Sequence, residues 1–248
     1  MKKTLATACT LITLGAPLLA LDMADLTEDD RAAFRDEVRA YLLENPEIIV
    51  EAMDILKARE DAAVSQNDVL LVQNNAPALF DSPKDWVGGN KDGDITVVEF
   101  MDYQCGYCRK AHAEVAELIA SDGNIRIILK EFPILGEKSE MSARYAIAVR
   151  QVAGDDAYKA AHDALMTLRA DVSGPALDAL SAKLGLDVGA VNAAMMSDDV
   201  AAVIAENRAL GEAMQINGTP TFVIDQSLLR GYVPLEGMRQ IVADERKG

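Results

Sequence analysis

The sequence predicts an α/β fold, a sheet built on a parallel crossover, with a long helical insertion and a separate amphipathic helical extension in front. Three observations lead there. Ile95 to Met101 is an apolar, β-branched run, followed by a helical pattern and then by a second such run from Ile125 to Phe132. A strand, a helix and a strand in that order make a right-handed crossover between parallel neighbours. From about residue 137 to 214 strand signal nearly vanishes, and Ala-rich helical patterns are punctuated by Gly154-Asp155, Ser173-Gly174-Pro175, Leu184-Gly185-Leu186 and Ser197-Asp198. Residues 27 to 75 carry helical spacing among charges.

Taken in order, Lys2 and Lys3 precede a short apolar run, Thr4 to Ala16, and Leu18-Leu19-Ala20 offers a small residue for cleavage. Residues 1–20 therefore read as a signal peptide, the run being short of the roughly 20 apolar residues a membrane span needs. The expected location is periplasmic. Cys9 leaves with the signal, so the mature chain keeps two of the three cysteines, and both stand in one motif. A secreted chain that spaces its cysteines so closely is not using them to staple its fold. The formal charge of −16 argues against nucleic acid and anionic membrane surfaces as partners.

Residues 21–75 form the N-terminal helical region. Thr27 with Asp30 resembles a capping box, and Phe34, Val38, Tyr41 and Leu42 recur at helical spacing. Asn45 reads as an N-cap and Pro46 as the first residue of a second helix with Ile48, Ile49, Ala52, Met53 and Leu56 on its apolar face. Such faces either pack on the following domain or meet their copies in a homo-oligomer; the reading favours association. Residues 76–248 form the second domain, with Trp86 to Gly89 as a short edge strand. After the helical insertion, Gly218 to Ile224 returns to strand, Leu228 to Tyr232 pairs with it, and Leu235 to Arg246 is a closing helix.

The chemistry sits in Tyr103-Gln104-Cys105-Gly106-Tyr107-Cys108, where a buried strand ends in a loop that delivers a C-x-x-C to the start of a helix. The unpaired N–H groups and the positive dipole end of a first helical turn favour a thiolate at Cys105, the attacking sulfur. Cys108, one turn on, would lie deeper and resolve. A zinc site needs four ligands, and outside the motif the chain offers only Cys9, His112 and His162 as further thiol or imidazole ligands, so no metal is expected. His112 reads as a solvated or packing histidine.

The segments Glu99 to Cys108, Lys130-Glu131-Phe132-Pro133-Ile134-Leu135-Gly136 and Gly218-Thr219-Pro220-Thr221-Phe222 together resemble the DsbA-like branch of the thioredoxin superfamily. Tyr41 to Ile48 is similar to the leader of suppressor-of-copper-sensitivity C (ScsC-like) proteins. The resemblance implies a thioredoxin fold with an inserted helical subdomain and a protein disulfide oxidoreductase, whose redox-active Cys105-Cys108 disulfide stands in place of any cofactor. It makes Pro220 a cis proline beside the disulfide, presenting the Thr219 backbone to a substrate strand. It makes Glu99 a buried acid beneath the site, able to take the Cys108 proton; the residues alone also allow a structural pair of Glu99 with Lys130, and the two roles are compatible. Gly106 and Tyr107 would line the substrate site, and this dipeptide resembles that of DsbC-type isomerases. The implied partners are unfolded or misfolded disulfide-containing proteins and a membrane redox partner. The rival readings are a DsbA-like dithiol oxidase, a copper-tolerance protein holding Cu(I) on Cys105 and Cys108, and a redox-inactive chaperone.

Overall fold

A computed structural model describes residues 27–247. The signal-peptide reading and Cys9 lie outside the described residues. The chain divides into two compact units, one up to Arg59 and one from Glu60 onward.

In the first unit, α1 (Glu28–Glu44) opens on the expected capping box, Thr27 Oγ1 accepting from the Asp30 backbone N–H and Asp30 accepting from that of Thr27. Asn45 acts differently from the expectation. Its backbone N–H and its Nδ2 both donate to the Tyr41 carbonyl at 2.9 Å, so it closes α1 instead of capping the next helix. The helix end leaves carbonyls without partners, and the amide side chain of Asn45 reaches back to one of them. The following α2 (Glu47–Asn74) is one continuous helix. No residue of α1 is buried, and Phe34, Tyr41, Met53 and Leu56 are all more than half exposed.

The second unit begins within α2. Val72 is buried, and Asp68 accepts two hydrogen bonds from the Arg230 guanidinium at 2.7 and 2.8 Å. There follow α3 (Ala76–Phe80), β1 (Trp86–Gly89), β2 (Ile95–Met101), α4 (Gly106–Asp122) and β3 (Ile125–Glu131). The helical stretch comprises α5 (Glu137–Thr167), α6 (Gly174–Lys183), α7 (Val188–Met195) and α8 (Asp198–Ala213). Within α5 the chain kinks at Gly154, whose φ of 85° suits only a residue without Cβ. The chain closes with β4 (Thr221–Ile224), β5 (Ser227–Arg230) and α9 (Leu235–Glu245).

The sheet order is β1-β3-β2-β4-β5, with β2 and β3 parallel and every other pair antiparallel. This is the thioredoxin fold with its helical insertion. Alternation along β2 divides the core: Val97 and Met101 face the layer of α4, α5 and α9, while Val98 and Phe100 face Val72, Leu79 and Met214.

That alternation corrects the expected partner of Glu99. Phe100 is in register with Lys130, whereas Glu99 is in register with Leu129, so Glu99 and Lys130 project from opposite faces. Lys130 instead donates a short hydrogen bond to the Asp85 carboxylate and another to the Ala78 carbonyl at 2.5 Å. Both members of the ion pair are nearly inaccessible to solvent. Removing one partner would strand a buried charge, so Asp85→Ala is expected to destabilise the fold by about 3 kcal/mol or more. Denaturant unfolding would measure this; a loss below about 1 kcal/mol would show that the Ala78 carbonyl alone satisfies the ammonium.

Candidate active site

The loop between β2 and α4 is held by Asp102. One carboxylate oxygen accepts from the Gln104 N–H at 2.8 Å, and the other accepts from the N–H groups of Ile134 and Leu135 at 2.9 and 3.1 Å. The Asp102 carbonyl also accepts from the Cys105 N–H at 3.1 Å. This local Asx-type turn places Cys105 at the N-cap of α4. Arg109 clamps the loop from the other side, donating to the carbonyls of Tyr103 and Leu168, each at 2.7 Å.

Both cysteines carry free thiols. Cys105 Sγ donates to the Thr219 carbonyl at 3.1 Å, and the Thr219-Pro220 peptide bond is cis. Cys105 retains a little solvent exposure, and Cys108 has none. The structure thus brings Cys105, Cys108, Thr219 and Pro220 into one place although 110 residues separate Cys108 from Thr219. Of the two residues between the cysteines, Tyr107 is 63% exposed and stacks on Tyr232 with ring centroids 6.0 Å apart. Lys110 Nζ lies 4.2 Å from the centroid of the same Tyr232 ring.

This geometry belongs to a recognisable group. Residues 96–243 match the DSBA-like thioredoxin domain. The chain belongs to that family. Residues 30–63 match the copper resistance protein ScsC N-terminal domain. A thioredoxin-like oxidoreductase from Silicibacter pomeroyi DSS-3 is 40% identical, over 69% of this chain and 98% of that one, with a TM-score of 0.65. BcfH of Salmonella enterica Typhimurium is 28% identical, over 89% of this chain and 97% of that one, with a TM-score of 0.72. Among curated proteins, the Na(+)/H(+) antiporter NhaA 1 of Salinispora arenicola is 27% identical over 169 residues, 68% of this chain and 26% of that protein. The chain therefore spans about a quarter of the length of the curated relatives it matches. Among the described residues no single helix is long and apolar enough to cross a membrane.

Beneath the DSBA-like motif lies a polar seam. Glu99 is buried and its Oε1 has no hydrogen-bond partner, and burial pushes its carboxyl up to about 8. Burial raises the Cys108 thiol strongly, and the nearby Glu99 charge adds to the effect. The sequence reading missed the rest of the seam. Glu131 Oε1 accepts from the hydroxyls of Tyr103 and Tyr158, both at 2.7 Å. Burial pushes the Glu131 carboxyl up to about 8, against the opposing pull of those two hydroxyls. Tyr103 also meets His162 Nδ1 at 3.1 Å. Only the isolated acid at the end of an apolar strand, Glu131, was a visible signal of this network.

A raised carboxyl has a definite effect on stability. Below the ordinary carboxyl value of 4.5 both folded and unfolded chains hold the Glu99 proton. Between 4.5 and about 8 the unfolded chain releases it and the folded chain keeps it, so stability falls as pH rises through this window. Glu99→Gln abolishes that contribution. Its stability relative to the parent is expected to improve from pH 5 to pH 8, by at most about 1.4 kcal/mol per pH unit. Denaturant melts of both proteins at the two pH values test this, and a constant difference would show that Glu99 is not held protonated.

Proposed function

We propose that the chain is a periplasmic thiol-disulfide oxidoreductase acting on protein substrates as a disulfide isomerase or reductase, with the Cys105-Cys108 pair as its redox group and no dissociable cofactor. One observation carries the reading: Cys105 sits at the N-cap of α4 with Sγ on the Thr219 carbonyl, and Cys108 is enclosed one turn below.

The Cys105 thiolate attacks one sulfur of a substrate disulfide, forming a mixed disulfide and expelling a substrate thiolate. Two exits then conserve atoms and electrons. In the first, Cys108 gives its proton to Glu99 and attacks Cys105 Sγ, which releases the second substrate thiol and leaves a substrate reduced by two electrons. A membrane partner must then return two electrons to the Cys105-Cys108 disulfide. In the second, a substrate thiolate attacks the substrate sulfur of the mixed disulfide, so that the bond moves with no net redox change. With its carboxyl near 8, Glu99 accepts that proton through its ionised fraction, which is small at neutral pH and grows toward pH 8. The Gly106-Tyr107 dipeptide favours the isomerase direction, by its resemblance to DsbC-type sites. Thr219, beside the cis Pro220, and the exposed Tyr107 ring offer the substrate chain a backbone and an aromatic contact.

The match of residues 30–63 to a domain named for copper resistance favours a second reading, in which the two thiolates hold Cu(I). The same variants separate the two. Cys105→Ser is expected to abolish exchange, and Cys108→Ser to accumulate mixed disulfides with substrate, visible as adducts by mass spectrometry. If Cys108→Ser turned over normally without adducts while both variants lost competition against a Cu(I) chelator, the copper reading would replace the redox one.

The isomerase reading extends to the first unit. The exposed apolar residues Phe34, Val38, Tyr41, Ile49, Met53 and Leu56 give α1 and the first half of α2 faces that water disfavours. We propose that these faces meet their copies, gathering several active sites around one misfolded client. The compact unit from Glu60 onward keeps the buried Asp68 and Val72, so the informative truncation ends at Arg59. The truncated protein is expected to have monomer mass, to retain dithiol exchange and to lose most repair of scrambled ribonuclease. Equal repair at equal active-site concentration, or a monomeric full-length protein, would refute association as the basis of isomerisation.

A further inference from the structure

A cavity of about 240 Å³ lies below the active-site helix, with Glu99, His112, Lys159 and His162 in its wall. His112 and His162 stand on α4 and α5 with ring centroids 5.1 Å apart. His112 Nε2 is 3.1 Å from Asp163 Oδ1. One ligand atom from each of His112, His162 and Asp163 lies within 4.8 Å of the other two, and the described residues hold no second cluster of this kind.

The hydrogen bonds decide which nitrogen of His162 is available. The single hydroxyl proton of Tyr103 goes to Glu131, 2.7 Å away, which leaves only oxygen lone pairs for His162 Nδ1 at 3.1 Å. With Nδ1 engaged by the Tyr103 hydroxyl, Nε2 is the ring nitrogen of His162 that this contact leaves unused. This is the arrangement in which a metal-ligating histidine is oriented by an outer hydrogen bond, here to a buried tyrosine. Independently, Glu99 Oε1 is buried without a partner in the wall of the same cavity, a polar oxygen that a water bound to the ion would satisfy.

We propose that His112, His162 and Asp163 form a binding site for a divalent transition-metal ion of the zinc class, with its fourth position open to the cavity. Two imidazoles and a carboxylate suit Zn²⁺, and tetrahedral coordination at about 2.0 to 2.1 Å needs ligand atoms about 3.3 Å apart. The His112 to Asp163 spacing of 3.1 Å already meets this, and all three ligand atoms lie within 4.8 Å of one another, with His112 and Asp163 only half-buried and able to adjust toward the buried His162. The ion must displace Lys159, whose ammonium holds both Asp163 oxygens at 2.7 and 2.5 Å. That pair is about 43% exposed on each side and so is weakly held. The site departs from the expectation of no metal because it draws on a carboxylate and two histidines that lie fifty residues apart in the chain.

The test uses the full-length mature protein with Cys105→Ala and Cys108→Ala, so that thiolates cannot bind the probe. Titration with Co²⁺ is expected to saturate at one equivalent with ligand-field absorption and no sulfur charge-transfer band, and Zn²⁺ should displace it. His112→Gln and Asp163→Asn should each weaken Zn²⁺ binding at least about tenfold. Lys159→Met, at an exposed position, should strengthen it. Absence of saturable binding at one equivalent would overturn the proposal. Affinity unchanged in Asp163→Asn and Lys159→Met, neither of which removes a buried group, would do the same.

Discussion

The carboxylate of Asp102 is the constraint on which the rest of the site depends. Two parallel strands, β2 and β3, end side by side, and each leads into a loop whose N–H groups have no strand partner. A single acid accepts from both loops, at Gln104 and at Ile134 and Leu135, and so fixes the start of α4 against the segment that leads into α5. Hydrogen bonds to a charged acceptor are stronger than neutral ones, and three on one buried group leave it little freedom. The candidate site hangs from that junction: the Cys105 cap, the enclosed Cys108 and the approach of the Thr219 carbonyl.

Below the junction the protein tolerates a set of buried acids that a purely structural core would exclude. Glu99 has one oxygen without a partner, and Glu131 has another. Desolvation alone raises Glu99, so its cost to the folded state grows with pH from 4.5 and is complete only at about 8 and above. Groups perturbed in this way, collected under a C-x-x-C, are what proton exchange at Cys108 would use. The seam continues outward through Tyr103 and His162 to His112 and Asp163, so buried polar groups link the strand ends to the surface between α4 and α5.

The opposite face of the sheet shows how the same sequence pattern serves structure instead. Lys130 is as buried as Glu99 but fully paired, with Asp85 and the Ala78 carbonyl, and it ties α3 and the chain before β1 to the sheet. The first unit is a third case, in which apolar side chains along α1 and early α2 stay exposed with no buried residue beside them in α1. A helix of this composition gains stability from a partner surface more than from its own propensity.

Local physics made much of this legible in the sequence. Continuous apolar, β-branched runs placed β2 and β3, which are buried on both faces, and helical spacing placed α4 and the helical insertion, because burial on one face of a helix repeats every 3.6 residues. Polar residues three apart revealed the Thr27 capping box, and the spacing of Cys105 and Cys108 placed both thiols at the start of α4. Side-chain partnerships across the chain were decided only by tertiary structure. Asn45 could cap the helix after it or close the one before it, and the path of the backbone chose the second. Glu99 and Lys130 looked like partners because both are charged residues in neighbouring strands, but register put them on opposite faces of the sheet. His112 and His162 each read as solitary, since nothing in a one-dimensional pattern says that α4 and α5 will stand ring to ring. Periodicity reports which face of an element is buried, whereas the partner found there depends on how the elements pack.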